Sequence, residues 1–113
     1  MEDCLFCKIA GGEIPSKKLY EDDKVFAFYD IDPQAPVHFL VIPKTHIQSA
    51  AKITVENQEI VGHIFTVIAK LAEELGLEED YRVVTNCGKL AGQSVPHLHF
   101  HVLAKRSLAW PPG

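Results

Sequence analysis

Apolar residues recur at steps of three and four along one stretch of the chain: Ile60, Ile64, Val67, Ile68, Leu71 and Leu75. That spacing puts them on one face of an amphipathic helix. Thr54 is its expected N-cap, Glu56 suits the first turn, and Gly76 supplies the stop. Elsewhere the pattern is shorter. Residues 19–21 and 25–29 read as two strands of a hairpin turned at Asp22-Asp23. Residues 30–36 form a loop, because Pro33 and Pro36 block regular structure. Residues 39–42 read as a buried strand closed by Pro43, and residues 81–85 as a further strand. A loop over 86–96 carries Gly88 and Gly92. In the last strand His97, His99 and His101 alternate with Leu98 and Phe100, and Val102 and Leu103 follow. Residues 4–10 suit one short helical turn ended by Gly11-Gly12 and Pro15. The tail Trp110-Pro111-Pro112-Gly113 excludes regular structure. Three strands, a helix and two strands predict an α+β fold with an antiparallel sheet.

Composition narrows the class. The 113 residues suit a single domain over 1–113, and 47% hydrophobic content is enough for a core. A net charge of −4 without a basic stretch argues against nucleic acid. Apolar runs such as 39–42 are far too short to span a membrane. No basic segment precedes an apolar one after Met1-Glu2-Asp3, so no secretory signal is expected. Three cysteines, an odd number, suit a reducing compartment, and the expected location is cytoplasmic.

The histidines carry the strongest chemical signal. A strand repeats every two residues, so His97, His99 and His101 share one face, with neighbours about 6.5 Å apart at Cα. Such a row suits one small anion or one metal ion, and imidazole titrates near neutrality. Gly92-Gln93-Ser94 precedes it with backbone amides and a hydroxyl that suit a phosphate, although alone the loop reads as an ordinary turn. His38 reaches the row only if its strand neighbours the last one. Cys4 and Cys7 form a C-x-x-C, half of a structural zinc site, for which His46 and His97 are candidate partners. Cys87 reads as a packing residue, Asp30 and Asp32 as turn formers with carboxylates that suit ribose hydroxyls, and His63 as a solvated helix residue. Trp110 is a large ring that suggests docking onto another subunit.

His97-Leu98-His99-Phe100-His101-Val102-Leu103 resembles the signature of the histidine triad family, in which three histidines alternate with apolar residues. Residues 35–44 (Ala-Pro-Val-His-Phe-Leu-Val-Ile-Pro-Lys), Gly92-Gln93-Ser94-Val95 and Trp110-Pro111-Pro112-Gly113 resemble its nucleotide-binding branch. The resemblance implies a five-stranded antiparallel sheet with one long helix and a short N-terminal helix, paired as a homodimer through the long helix. It implies hydrolysis or transfer at the α-phosphate of purine nucleotides. His99 is then the nucleophile, forming a nucleotidyl-imidazole that water cleaves, and His38 and His101 orient and support it with His97 close by. Asn86, Gln93 and Ser94 hold phosphate oxygens or the leaving group, Asp30 binds the ribose, and Ile31 lines the base pocket. Members with a similar C-x-x-C bind zinc through two Cys and two His, which implies a structural zinc on Cys4, Cys7, His46 and His97. Pro96 stands where the branch often has Tyr.

The leading expectation is a nucleoside phosphoramidase acting on a purine nucleoside monophosphate linked to an amine, with no organic cofactor. A dinucleotide polyphosphate hydrolase and a nucleotide-binding regulatory protein with little turnover are the alternatives. A further alternative makes the three histidines the ligands of a catalytic zinc. A nucleotidyl transferase is disfavoured, because that branch usually replaces the third histidine with Gln and here it is His101.

Overall fold

The order of elements follows from where β-rich segments meet turns. In a computed structural model describing residues 3–112, helix α1 spans Leu5–Ala10, and strands β1, β2 and β3 span Lys18–Glu21, Val25–Tyr29 and Val37–Pro43. Helix α2 spans Gln58–Glu74, followed by β4 at Tyr81–Val84 and β5 at Phe100–Ala104. Short 3₁₀ turns lie at Ala50–Lys52 and Lys89–Ala91. Met1, Glu2 and Gly113, which belong to the leader and tail readings, lie outside the described residues.

All five strands are antiparallel, in the order β1-β2-β3-β5-β4. Each strand's two-residue period feeds two separate cores. On one face Val25, Ala27, Phe39, Val41, Phe100 and Val102 pack beneath Ile64, Val67, Ile68 and Leu71 of α2. On the other Phe26, Phe28, Leu40 and Ile42 pack against Phe6 and Ile9 of α1. With both faces covered, β2 and β3 read as continuous apolar runs rather than alternating ones.

Three boundaries differ from the sequence expectation by two residues or more. Helix α2 starts at Gln58 rather than after Thr54. Thr54 and Asn57 instead bond one another: the Thr54 amide donates to Asn57 Oδ1 at 2.7 Å, and the Asn57 amide to Thr54 O at 3.2 Å. That turn ends before the helix begins, so Glu59, not Glu56, is the first-turn acid. The helix ends as expected: Gly76 (φ +71°) closes it while the Leu77 amide returns to Ala72 O at 2.8 Å. Strand β3 begins at Val37 and so includes His38. Strand β5 begins only at Phe100, because the Leu98 amide bonds Ile47 O at 2.6 Å instead of joining the sheet ladder.

Candidate active site

Strand pairing brings the histidines together. His38 of β3 stands opposite Leu103 of β5, and Leu40 opposite His101. His38 and His101 are therefore diagonal neighbours on one face, within reach of long side chains. Their rings meet with His38 Nε2 2.9 Å from His101 Nδ1. This is the α1 face, opposite the α2 core. The expectation that β3 and the histidine strand are neighbours holds.

The expectation that all three histidines of the row converge on one ion does not. His97 and His99 lie ahead of β5 and turn to different partners. The His97 ring sits among Cys4, Cys7 and His46, whereas His101 faces His38 and Asp30. His99 lies between these groups, its ring 5.1 Å from that of His101.

Hydrogen-bond partners assign the tautomer of each ring. His99 Nδ1 is 2.7 Å from the His97 carbonyl, so Nδ1 carries the proton and Nε2 holds the free lone pair. Thr85 Oγ1 donates to the His99 carbonyl at 2.8 Å and ties the segment to the end of β4. Phe6 meets the His99 ring edge to face, 4.9 Å between centroids and 87° between planes. The Gln34 amide donates to His38 Nδ1 at 3.1 Å, so the His38 proton is on Nε2 and points at His101 Nδ1. That leaves the His101 proton on Nε2. Burial, then His99 and His38, push His101 down to about 4, and burial also lowers His38, His97 and His99. The imidazoles are thus neutral near pH 7.

Asp30 sits at the open side of the pair. Its Oδ1 accepts from the Asp32 amide at 2.8 Å, and its Oδ2 lies 3.4 Å from His38 Nε2 and 3.9 Å from His101 Nδ1. Ile31 beside it is 97% exposed. Gln93 braces its own loop: Oε1 accepts from the Gly88 amide, and Nε2 donates to the Gln48 and Val95 carbonyls. Asn86 follows Thr85 directly, and its Nδ2 approaches Gly92, where a Cβ would stand 3.9 Å away. Ser94 is exposed on the same loop.

Two donor sets can be tested for a metal. In the first, His97 Nδ1 lies 3.1 Å from Cys4 Sγ, 3.4 Å from Cys7 Sγ and 3.2 Å from His46 Nδ1, and Cys7 Sγ is 3.4 Å from His46 Nδ1. Tetrahedral zinc with ordinary Zn–N and Zn–S bonds needs ligand separations of about 3.3–3.8 Å. His97 Nε2 donates to the Pro43 carbonyl at 2.8 Å, which leaves Nδ1 as the coordinating lone pair. The separations of 3.1–3.4 Å lie at or just below that range, and two thiols with two imidazoles are the donor set of a closed four-ligand site. In the second set, Asp30, His38 and His101, the fit fails. A metal would need the His38 Nε2 lone pair, but the Gln34 amide already occupies Nδ1 and keeps the proton on Nε2. The separate catalytic-zinc expectation, on His97, His99 and His101, is not supported by this geometry either, because His97 turns to Cys4, Cys7 and His46 while His101 faces His38 and Asp30.

Other candidates fall elsewhere. His63 is not merely solvated: its Nε2 lies 2.7 Å from Asp22 Oδ2 and ties α2 to the β1–β2 turn. Cys87 is exposed rather than packed, with Sγ 3.5 Å from Ser49 Oγ. A cavity of about 620 Å³ beside α2 is lined by Lys24, Thr45, Glu59 and His63 among others, and none of the paired imidazoles borders it. Trp110 is 84% exposed, and Arg82 donates to the Ala109 carbonyl at 2.9 Å. Sequence reading missed Phe6, Gln34 and Thr85. Phe6 had one usable signal, its place between the two cysteines; the others act through backbone partners that leave no motif.

Comparison with known proteins identifies relatives of the whole fold. The family model described as the HIT domain matches residues 11–108. An uncharacterized HIT-like protein of Synechococcus elongatus is 51% identical over 112 residues, covering 99% of this chain and 98% of that protein. A crystal structure of a HIT family hydrolase from Legionella pneumophila superposes with a TM-score of 0.96 at 46% identity, covering 98% of this chain and 100% of the other. A histidine triad nucleotide-binding protein from Candida albicans superposes at 0.86 with 38% identity, covering 98% and 85%.

Proposed function

The chain belongs to the HIT domain family, and on that premise we propose that it hydrolyses the P–N bond of purine nucleoside 5′-phosphoramidates, in the manner of the nucleotide-binding branch. The observation that carries the reading is the His99 ring, whose Nδ1 proton is held by the His97 carbonyl so that Nε2 is the nucleophile. Attack by Nε2 forms a bond to the α-phosphorus and breaks the bond to the amine. The amine leaves with the electron pair and takes a proton. The proton comes from solvent water, while the neutral His101 holds the leaving nitrogen by a hydrogen bond from Nε2–H, the nitrogen that faces away from His38. The hydroxide so formed cleaves the nucleotidyl-His99 bond, releases the monophosphate and returns His99 to its neutral form.

The loop at Asp30 and Ile31 takes the ribose and base. Asn86 and Ser94 hold phosphate oxygens, and Gln93 keeps their loop in shape. Cys4, Cys7, His46 and His97 hold a structural zinc whose chemistry is to crosslink α1 to the end of β3 and the start of the histidine segment. Two copies pair through α2 and the β4 edge. Phe65 on α2 is 47% exposed, and β4 is paired on one side only.

The test is monophosphate release from adenosine 5′-phosphoramidate by the native chain and by His99→Ala. The expected result is turnover in the native chain and its loss in the variant, with a nucleotide adduct on the His99 peptide after alkaline quench. Equal turnover in both removes His99 as the nucleophile. Nucleotide binding without turnover in either points to the polyphosphate or regulatory alternatives.

A further inference from the structure

The His38 ring is held from behind by a loop that a distant side chain clamps. Val37 pairs with Ala104 at the end of the β3–β5 ladder, so the residues after β5 emerge beside the loop that leads into β3. Lys105 there adopts a left-handed conformation, φ +73°, which is uncommon for a residue with a side chain. Its own Nζ bonds the Gly76 carbonyl at 3.0 Å. The next residue, Arg106, donates from Nε to the Gln34 carbonyl at 2.8 Å and from a guanidinium nitrogen to the Ser107 carbonyl at 3.0 Å. Gln34 also donates from Nε2 to the Asp32 carbonyl at 2.9 Å. Arg106 thus anchors the peptide leaving Gln34, while the N–H entering Gln34 points at His38 Nδ1.

We propose that Arg106 is a positioning residue for the reaction, fixing through Gln34 which nitrogen of His38 bears the proton and so which nitrogen of His101 faces the leaving group. The consequence for turnover rests on the function proposed above; the consequence for the His38 tautomer does not. With the Gln34 amide in place, only the Nε2–H form of His38 satisfies both neighbours. If Gln34 is released, the Nδ1–H form becomes accessible, His38 accepts rather than donates, and the His101 proton swings to Nδ1, away from the substrate. Arg suits this task because its Nε–H and terminal N–H groups leave in fixed directions and reach two carbonyls at once.

The experiment compares the full chain with Arg106→Ala and Arg106→Lys. The His38 tautomer is read from side-chain ¹⁵N shifts at pH 7.5, and kcat and KM are read with adenosine 5′-phosphoramidate. In Arg106→Ala the Nε2–H form of His38 is expected to lose its dominance. There kcat falls about tenfold, the rate equivalent of one hydrogen bond to a charged group, with KM changed less than about twofold. Lys, which keeps a cationic donor but not the fixed fork, restores part of both. An unchanged His38 tautomer in Arg106→Ala overturns the proposal, whatever the rate does. So does an altered tautomer with native kcat. Absence of turnover in the native chain refutes the phosphoramidase reading instead, and the ¹⁵N shifts still decide whether Arg106 governs His38.

Discussion

Phe6→Ala tests whether α1 is a packed wall behind the nucleophile or a loose appendage. Phe6 is only 7% exposed and touches three rings: Phe28 at 5.6 Å, His97 at 6.0 Å and His99 at 4.9 Å between centroids. Truncation removes a buried aromatic ring and leaves a cavity between α1 and the sheet, which in well-packed cores costs about 3–5 kcal/mol. Loss of the edge-to-face contacts, each about 0.5–1.5 kcal/mol beyond area, places the cost in the upper half of that range. For a domain of this size about 4–5 kcal/mol corresponds to a fall in Tm of roughly 16–20 °C. Phe6→Leu, which keeps most of the volume, is expected to cost about 1–1.5 kcal/mol. Thermal unfolding followed by circular dichroism, in the same buffer and with the same metal content, reads both. If Phe6→Ala melts within about 4 °C of the native chain, α1 contributes little, and the wall behind His99 is not fixed by packing.

Acid offers a second test. His101 titrates near 6.5 when unfolded and about 4 when folded, so the unfolded chain takes up the proton first. The stability contributed by neutral His101 is complete above pH 6.5 and is lost as pH falls toward 4, by up to roughly 3 kcal/mol. Urea midpoints at pH 7 and 4.5 measure it, and equal midpoints refute the burial argument. For the proposed zinc site, protein purified from cells is expected to carry one equivalent of zinc by elemental analysis. Chelation or Cys4→Ser is expected to lower Tm by about 10 °C or more. Metal-free protein with an unaltered Tm after chelation would show that the four residues pack without an ion.

Much of the fold was legible because its signals are periodic. The three- and four-residue spacing of α2 and the alternation around His101 survive in the structure almost unchanged. Boundaries were less legible, since they depend on which backbone group captures a polar neighbour. Thr54 has the chemistry of an N-cap, but its Oγ1 accepts from the Glu56 amide in a separate turn that ends before the helix begins at Gln58. The final strand was read as starting at His97, but Ile47, an unrelated carbonyl fifty residues earlier, takes the Leu98 amide. The site divides along the same line. Side chains with strong chemistry, such as His99, Cys4 and His38, could be picked out by type and spacing. The groups that set their protonation are the carbonyls of His97 and Pro43 and the amide of Gln34, and every residue carries such groups.

His97 joins the cluster of Cys4, Cys7 and His46 through its side chain but holds His99 through its main-chain carbonyl. The two tasks are therefore separable by mutation and by descent. A lineage can exchange the imidazole at position 97, and lose both cysteines with it, without losing the acceptor that orients the nucleophile, because every residue supplies a carbonyl. The cluster is free to drift, to be replaced by apolar packing or to be recruited for another ion, while the reaction centre is inherited intact. Under the proposed reaction position 99 has no such freedom, since the attacking lone pair exists only on its side chain.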